Sequence, residues 1–473
     1  MQSTACKFNS NRAKLSHLRM TRHVLFIALT LLSTAAGAFA SSHADGYRGI
    51  WFTLGQRSQG GDKYSGGLGT YTANHVPIAI YSAKANKTFF VYGGTVKRKR
   101  QLLIMASCFD HATGKVPRPT IVYDKQLVND PHDNAAIALD DAGHVWVFIS
   151  GRARSRPGLI YRATKPFSVD EFVKIDEREM TYPQPRFIDG HGFFYLFTKY
   201  TKGRELYWQT SVDGRTWQAE EKLAGFGGHY QVSGRAGDTI GSAFMWHPNG
   251  NVDARTNLYY AQTRDFGETW TTADRKLINP PLKSEKNPAL LIDYQAQKLL
   301  VYIHDLNFDA DGRPAILYLT SKAFQPGAKD GPRTWHVTRF DGAAWRTHDV
   351  CESDHNYDTG SLFIDGDKWT VVGPTLPGPQ PNGTGGDIAI WSSDDAGATW
   401  RMTKQLTRKS AFNHSYVRRV VDGKPPFQFL WADGNPDETS ESRLYFGSLS
   451  SEKYFELPYD MDGDSAEPIE HAP

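Results

Sequence analysis

Ser211-Val212-Asp213-Gly214-Arg215-Thr216-Trp217 recurs as Thr263-Arg264-Asp265-Phe266-Gly267-Glu268-Thr269-Trp270 and as Ser393-Asp394-Asp395-Ala396-Gly397-Ala398-Thr399-Trp400. The pattern is S/T-x-D-(x)-G-x-T-W, and each copy follows a strand-like run: Glu205–Thr210, Asn257–Thr263 and Asp387–Trp391. Its residue types describe a hairpin turn. The Asp carboxylate caps turn amides, Gly supplies a positive φ, and Trp packs between neighbouring sheets. The first two Asp are 52 residues apart, and the third follows after 130, room for two or three further units with degenerate turns.

Outward from these turns the chain continues in the same style. Short apolar runs such as Val76–Tyr81, Leu102–Cys108, Val145–Ile149, Phe193–Thr198 and Leu299–Ile303 are separated by turn residues, and no long amphipathic helix interrupts them. A chain with 13% aromatics and 43 Gly suits such strands and turns. The turn motif is the Asp-box of β-propeller blades, and radial repetition lets a long all-β chain avoid an exposed sheet edge. At about 60 residues per blade, the reading is an all-β, seven-bladed β-propeller.

Residues 1–40 read as a secretory signal peptide, with basic Arg19 and Arg22, an apolar run Val24–Leu32, and Ala38-Phe39-Ala40 before cleavage at Ser41. The run is short for a membrane span, so the expectation is a secreted or periplasmic protein that is not held in a membrane. Residues 41–455 form a single propeller catalytic domain, and 456–473 an acidic C-terminal extension. Five of the 54 bases lie in the leader, leaving 49 against 51 acids. That balance excludes a globally basic nucleic-acid binder but permits a local cationic cleft for a polyanion. Beyond the leader, Cys108 and Cys351 do not make a disulfide framework, although an oxidising compartment would allow them to pair.

In a propeller, residues opening the innermost strands converge at one mouth of the central channel. Candidate openings are Asn129-Asp-Pro-His132-Asp-Asn134, Met180-Thr-Tyr182-Pro-Gln-Pro-Arg186, Gly228-His229-Tyr230-Gln231, Asp354-His355-Asn-Tyr357-Asp358 and Asn413-His-Ser-Tyr416. Cations form a second set. Arg152, Arg154 and Arg156 would share one face if their strand continued. Lys199, Lys202 and Arg204 follow another strand, and an Arg fork suits carboxylate or sulfate. The run Lys97–Arg100 reads as a solvated hairpin tip. Cys351-x3-His355 has ligand-like spacing for a structural zinc or calcium ion, but no compact cluster fixes a metal geometry and no cofactor is required. Phosphate-binding loops, dinucleotide fingerprints and Gly-x-Ser-x-Gly elbows are absent from the sequence.

Five segments together carry a resemblance: Gly46-Tyr-Arg-Gly-Ile-Trp51, Lys63-Tyr-Ser-Gly-Gly-Leu-Gly69, Asp130-Pro-His-Asp-Asn134, Thr181-Tyr-Pro-Gln-Pro185 and His229-Tyr-Gln-Val-Ser-Gly-Arg235. Over nearly the whole chain beyond the leader, the sequence resembles BNR-type secreted propellers that include ulvan lyases of polysaccharide-lyase families 24 and 25. The resemblance implies a cleft where a His/Tyr pair moves protons while Arg and a second His neutralise a uronate carboxylate. It maps the two histidines to His111 and His132, the acid/base Tyr to Tyr182, and the cation to Arg204 or Lys199, of which Arg204 is preferred. Arg152, Arg154, Lys199, Tyr230, His229 and His355 are the expected substrate contacts.

The implied reaction removes the C5 proton of a uronate and expels the 4-linked sugar, so an enolate-like charge must be stabilised and a base and an acid must reach C5 and the leaving oxygen. Neutral His132 or a Tyr182 phenolate could be the base; His132 as base with Tyr182 as acid is preferred. The expected partner is an anionic polysaccharide such as ulvan, acted on by a monomer. Two other readings stand beside it, a propeller hydrolase of rhamnose–glucuronate linkages and a secreted glycan-binding propeller without turnover.

Overall fold

The computed structural model describes residues 42–97, 99 and 101–472, so the expected signal peptide lies outside the described residues. The described chain is all-β apart from a few three-residue 3-10 turns. Its strands follow one another as antiparallel meanders. The first is Ala79–Ser82, Lys87–Gly94, Leu103–Asp110 and Thr120–Asp124. Next come Ala135–Leu139 to Phe172–Arg178, Thr181–Ile188 to Glu221–Ala224, and His229–Ala236 to Trp270–Thr271. Leu300–Phe308 to Trp345–Ser353, Ser361–Asp365 to Arg401–Gln405 and Asn413–Lys424 to Tyr454–Glu456 complete the series.

The first and last meanders are joined by a parallel pairing of Ile80 with Val421. Both ends of the described chain reinforce that junction. Ser42–His43 pairs with Thr120 and Ile121, Ile469–His471 extends the last sheet, and Ser465–Ala466 pairs with Val116–Pro117 of the first. The segment expected as an acidic extension is therefore docked, with Arg118 donating to the Asp462 and Gly463 carbonyls.

The Asp-box turns have the expected physics. Asp213 Oδ1 accepts from the Arg215 and Thr216 amides at 2.8 and 2.7 Å, and Asp265 and Asp395 cap the Thr269 and Thr399 amides at 2.9 and 2.8 Å. Gly214 and Gly397 sit at φ +70° and +83°. Trp217 packs on Tyr195 of its own sheet and Phe148 of the preceding one, and Trp270 packs on Trp208. These apolar faces bury the core between adjacent sheets rather than in one central cluster.

All these turns join the third and fourth strands of a meander. Two further turns occupy the same place without the full motif. Asp341 caps the Ala343 and Ala344 amides at 2.8 and 2.7 Å before Trp345, and Asp110 caps the Ala112 amide at 2.8 Å. Antiparallel strands fix a consequence: the starts of first and third strands share one end of the sheets, and these capped turns lie at the other.

Candidate active site

At the end where first and third strands begin, a cavity of about 150 Å³ is lined by residues from most of the meanders and from the segment preceding the first strand. First-strand openings supply Tyr182, Tyr230, Tyr357 and Tyr416 and the turn bearing His132; third-strand openings supply Arg152, Arg204 and Arg255. Lys63, Tyr64 and Tyr71 come from residues 51–75, whose hairpin pairs Trp51–Thr53 with Ser65–Gly67. Arg418 holds this segment by donating to the Thr70, Thr72 and His75 carbonyls, and Asn134 Nδ2 donates to Tyr71 O at 2.7 Å.

His132 sits in a 3-10 turn that Asp130 caps and Pro131 begins, the residue types such a start favours. Asp130 Oδ1 also lies 2.5 Å from His132 Nδ1. Nδ1 therefore carries the proton and Nε2 presents its lone pair, facing the Tyr64 and Tyr71 hydroxyls at 2.8 and 2.7 Å. Burial lowers the His132 pKa, outweighing the opposing pull of Asp130, so the ring is neutral at pH 7.

Tyr182 is aimed by its backbone. At φ +53°, with its amide donating to Ser150 Oγ at 3.0 Å and the register shifting between Thr181 and Gln184, the strand bulges and turns the side chain inward. Tyr416, at φ +52°, uses the same device. Arg152 Nη1 donates to the Tyr182 hydroxyl at 3.0 Å, and the Tyr182 and Tyr230 rings meet edge to face at 5.5 Å. Burial pushes the Tyr182 phenol well above its ordinary value. Burial acts the same way on Tyr230 but is overcome by the Arg204, Arg255 and Arg152 guanidiniums, which hold that phenol below its ordinary value.

Arg255 is buried, stacks on Tyr302 at 4.6 Å and donates to Tyr357 Oη at 3.1 Å. Arg204 lies over the Tyr200 and Tyr230 rings at 5.5 and 5.8 Å. Lys63 is neutralised by Asp253. Among the described residues, Arg152, Arg204 and Arg255 have no carboxylate at ion-pair distance, and no Asp or Glu lines the cavity. Three guanidiniums without counter-charge around a small cavity make a strong anion site, oriented by planar donor forks.

The structure thus brings together His132, Tyr182, Arg204, Arg152 and Tyr230, and not the other expected residues. His111 lies at the opposite end, in the Asp110 turn, with Nε2 2.8 Å from Thr88 Oγ1 and its ring against Phe109. Lys199 alternates to the other face from Arg204 and pairs with Glu220 at 2.6 Å. Arg154 is exposed beside Glu179. The strand ends at Ile149, and the Arg152 amide donates to Arg156 O at 2.6 Å, so the alternating arginines do not share a face; Arg156 pairs with Asp133 and Asp130 instead. His229 and His355 are buried behind the cavity, where Nδ1 of His229 meets Met245 O at 3.1 Å and Nδ1 of His355 accepts from the Tyr357 amide at 3.1 Å. Cys351 and His355 gain no third ligand: among the described residues no group of three or more His, Cys, Asp or Glu is placed to hold a metal ion. Cys108 and Cys351 are both free thiols.

Sequence reading missed Lys63, Tyr64, Tyr71, Arg255, Tyr357 and Tyr416 as site residues. Tyr357 and Tyr416 stood inside quoted strand openings, and Arg255 occupies the third-strand start that Arg204 occupies one meander earlier.

The sequence matches the BNR repeat-containing family over residues 96–353. The chain belongs to that family. Among curated proteins, no sequence matches it. Among solved structures, it is similar to a PL25 ulvan lyase, with a TM-score of 0.68 at 17% identity over 86% of this chain and 96% of that one. The same figures hold for that enzyme bound to -[GlcA(1-4)Rha3S]-. The polysaccharide lyase Uly1 is similar with a TM-score of 0.60 at 13% identity, over 86% of this chain and 97% of the other. At these identities the likeness is one of fold, and the fold is of the propeller type. No helix among the described residues is long and apolar enough to cross a membrane.

Proposed function

We propose that this BNR-family protein is a polysaccharide lyase that cleaves a uronate-containing sulfated polysaccharide, ulvan, by β-elimination at the bond 4-linked to the uronate. The observation that carries the reading is the juxtaposition of three guanidiniums lacking counter-charge with a neutral, lone-pair-bearing His132 and a protonated Tyr182. Arg204 and Arg255 hold the uronate carboxylate and stabilise the charge that develops when C5 loses its proton. His132 Nε2 takes that proton, directly or through the Tyr64 or Tyr71 hydroxyl, and Asp130 stabilises the resulting imidazolium. Tyr182 protonates the departing glycosidic oxygen, and Arg152 stabilises its transient phenolate.

The pKa directions support this division of labour, since a base must rest unprotonated and an acid protonated. Hydrolysis by paired carboxylates, or by a Tyr nucleophile backed by Glu, finds no support in a cavity lined by no acidic residue. The same reading takes the meanders as seven blades of one propeller, exported by its leader and acting as a monomer without a required cofactor. Proton NMR of ulvan incubated with the protein tests it. A vinylic H4 signal from an unsaturated uronate is expected; cleavage products without that signal would overturn the reading.

A further inference from the structure

Behind His132 lies a buried ion cluster that the steps above do not use. Asp133 closes the 3-10 turn that bears His132, and its side chain is completely buried. Arg156 Nε and Nη2 donate to the two Asp133 carboxylate oxygens at 2.8 and 2.9 Å, and Lys125 Nζ, itself buried, donates to Oδ2 at 3.1 Å. The same Arg156 Nη2 donates to Asp130 Oδ2 at 3.1 Å. Asp130 Oδ1 meanwhile accepts from the His132 amide at 3.1 Å and from Nδ1 at 2.5 Å. Two carboxylates thus face two cations, and one guanidinium bridges both carboxylates.

Each arm of the cluster ends on a residue of the site. Lys125 also donates to Ser150 O at 2.9 Å, and Ser150 Oγ accepts from the Tyr182 amide at 3.0 Å. Arg156 O accepts from the Arg152 amide at 2.6 Å, closing the loop that presents Arg152 to the Tyr182 hydroxyl. Ion clusters taken out of water add little net stability over well-packed apolar side chains. What a charge-assisted fork fixes is direction.

His132 is faced by Asp130 and Asp133 from its own turn, and by Tyr64, Tyr71 and His75 from the segment before the first meander. Tyr182 faces it from the next meander and Arg152 from a third-strand opening. The two carboxylates draw a proton onto the ring, and Arg152 opposes them. With Arg156 gone, Asp130 would meet the imidazole with its charge unshared, which favours the imidazolium.

We infer that Arg156 is a positioning residue for the elimination proposed above: by bridging Asp130 and Asp133 it aims the His132 ring and offsets the carboxylate charge beside it, leaving Nε2 free to accept a proton. Its purpose rests on that reading; its physical content, control of His132 through Asp130, is measurable without substrate.

Nitrogen-15 NMR of the whole protein, labelled at histidine and titrated with pH, reads the His132 ring, identified by the signal missing in His132→Gln. In the wild type Nε2 is expected to be unprotonated at pH 7, with a midpoint below about 6.5. Arg156→Met removes the charge from a side chain that is 31% exposed, so the fold is expected to survive. The His132 midpoint is then expected to rise by about one unit, and the acid limb of log(kcat/KM) on ulvan to move up with it. Arg156→Lys restores the charge and is expected to bring the midpoint back towards wild type. Arg154→Met, at the exposed neighbouring arginine, is expected to leave it unchanged. A thermal melt establishes that each variant is folded. A midpoint unmoved or lowered in folded Arg156→Met, or raised as far in Arg156→Lys, would overturn the inference. A raised midpoint in Arg156→Met, where the wild type forms no unsaturated uronate, would leave the coupling standing and overturn the elimination reading instead.

Discussion

Tyr182→Phe removes one oxygen from the site and leaves the ring in place. The backbone at φ +53° is as tolerable for Phe as for Tyr, and the amide bond to Ser150 Oγ at 3.0 Å is untouched. The edge-to-face contact with Tyr230 at 5.5 Å also survives. What is lost is the proton donor and the 3.0 Å bond from Arg152. Loss of a hydrogen bond to a charged group costs about 1.5–3 kcal/mol of stability, and Arg152 can recover part of that from water because it is only half-buried. Loss of general-acid assistance costs about 10²–10⁴ in rate, or about 3–5 kcal/mol of barrier at 1.36 kcal/mol per tenfold. The fall should appear in kcat with little change in KM, because Arg204 and Arg255 still hold the carboxylate. Initial rates on ulvan, followed by the ultraviolet absorbance of the unsaturated product, read kcat; far-ultraviolet circular dichroism and a thermal melt establish that the variant is folded. A folded Tyr182→Phe protein with more than about a tenth of wild-type kcat would refute the assignment of the acid, which requires at least about a hundredfold loss.

Four further outcomes follow from the same geometry. The acid limb of log(kcat/KM) against pH should fall below the ordinary histidine value of about 6.5, since a base with a lowered pKa stays neutral to lower pH; Asp130→Asn should move it lower still, and a limb above 6.5 would count against His132. Arg255→Met should lower kcat/KM by about 10²-fold or more, the loss seen for one charge-stabilising donor, whereas wild-type kinetics would remove Arg255 from the anion site. His111→Ala should leave the kcat/KM of the folded protein unchanged, because the ring lies at the other end of the sheets, bonded to Thr88 and packed on Phe109. Gly214→Ala should destabilise by about 1–3 kcal/mol in urea unfolding, because φ is +70° and the new Cβ would stand 2.5 Å from the Trp146 ring; an unchanged midpoint would contradict the strain argument.

What the sequence revealed depended on whether a residue obeyed the repeat. Asp213, Asp265 and Asp395 announced their turns because the whole motif, from hydroxyl to Trp, was intact. Asp341 and Asp110 perform the same capping with truncated motifs; His111, inside the Asp110 turn, is assigned to the site through the family resemblance alone, and it lies at the wrong end. His132, Tyr182 and Tyr230 were legible because a polar residue before an inner strand has few places to go but the channel mouth. The cations were harder. Arg152, Arg154 and Arg156 alternate only if their strand continues, and the chain instead turns back at Arg156. Arg204 and Lys199 differ by the period-two alternation across a hairpin, which depends on the register between Tyr200 and Arg204. Lys63, Tyr64 and Tyr71 precede the first meander altogether, and long-range contacts carry them over the site: Arg418 and Asn134 donate to carbonyls of the segment, Ser415 Oγ donates to Gly67 O, and Asn74 Nδ2 donates to Gln231 O.

The central claim is elimination, and the stoichiometry of cleavage tests it most directly. Ulvan is incubated with the protein, and unsaturated uronate, from ultraviolet absorbance, is compared with new reducing ends in the same sample. The account predicts one unsaturated uronate for each new reducing end, with both lost in His132→Ala. Reducing ends formed without unsaturation would mean hydrolysis and would contradict the account.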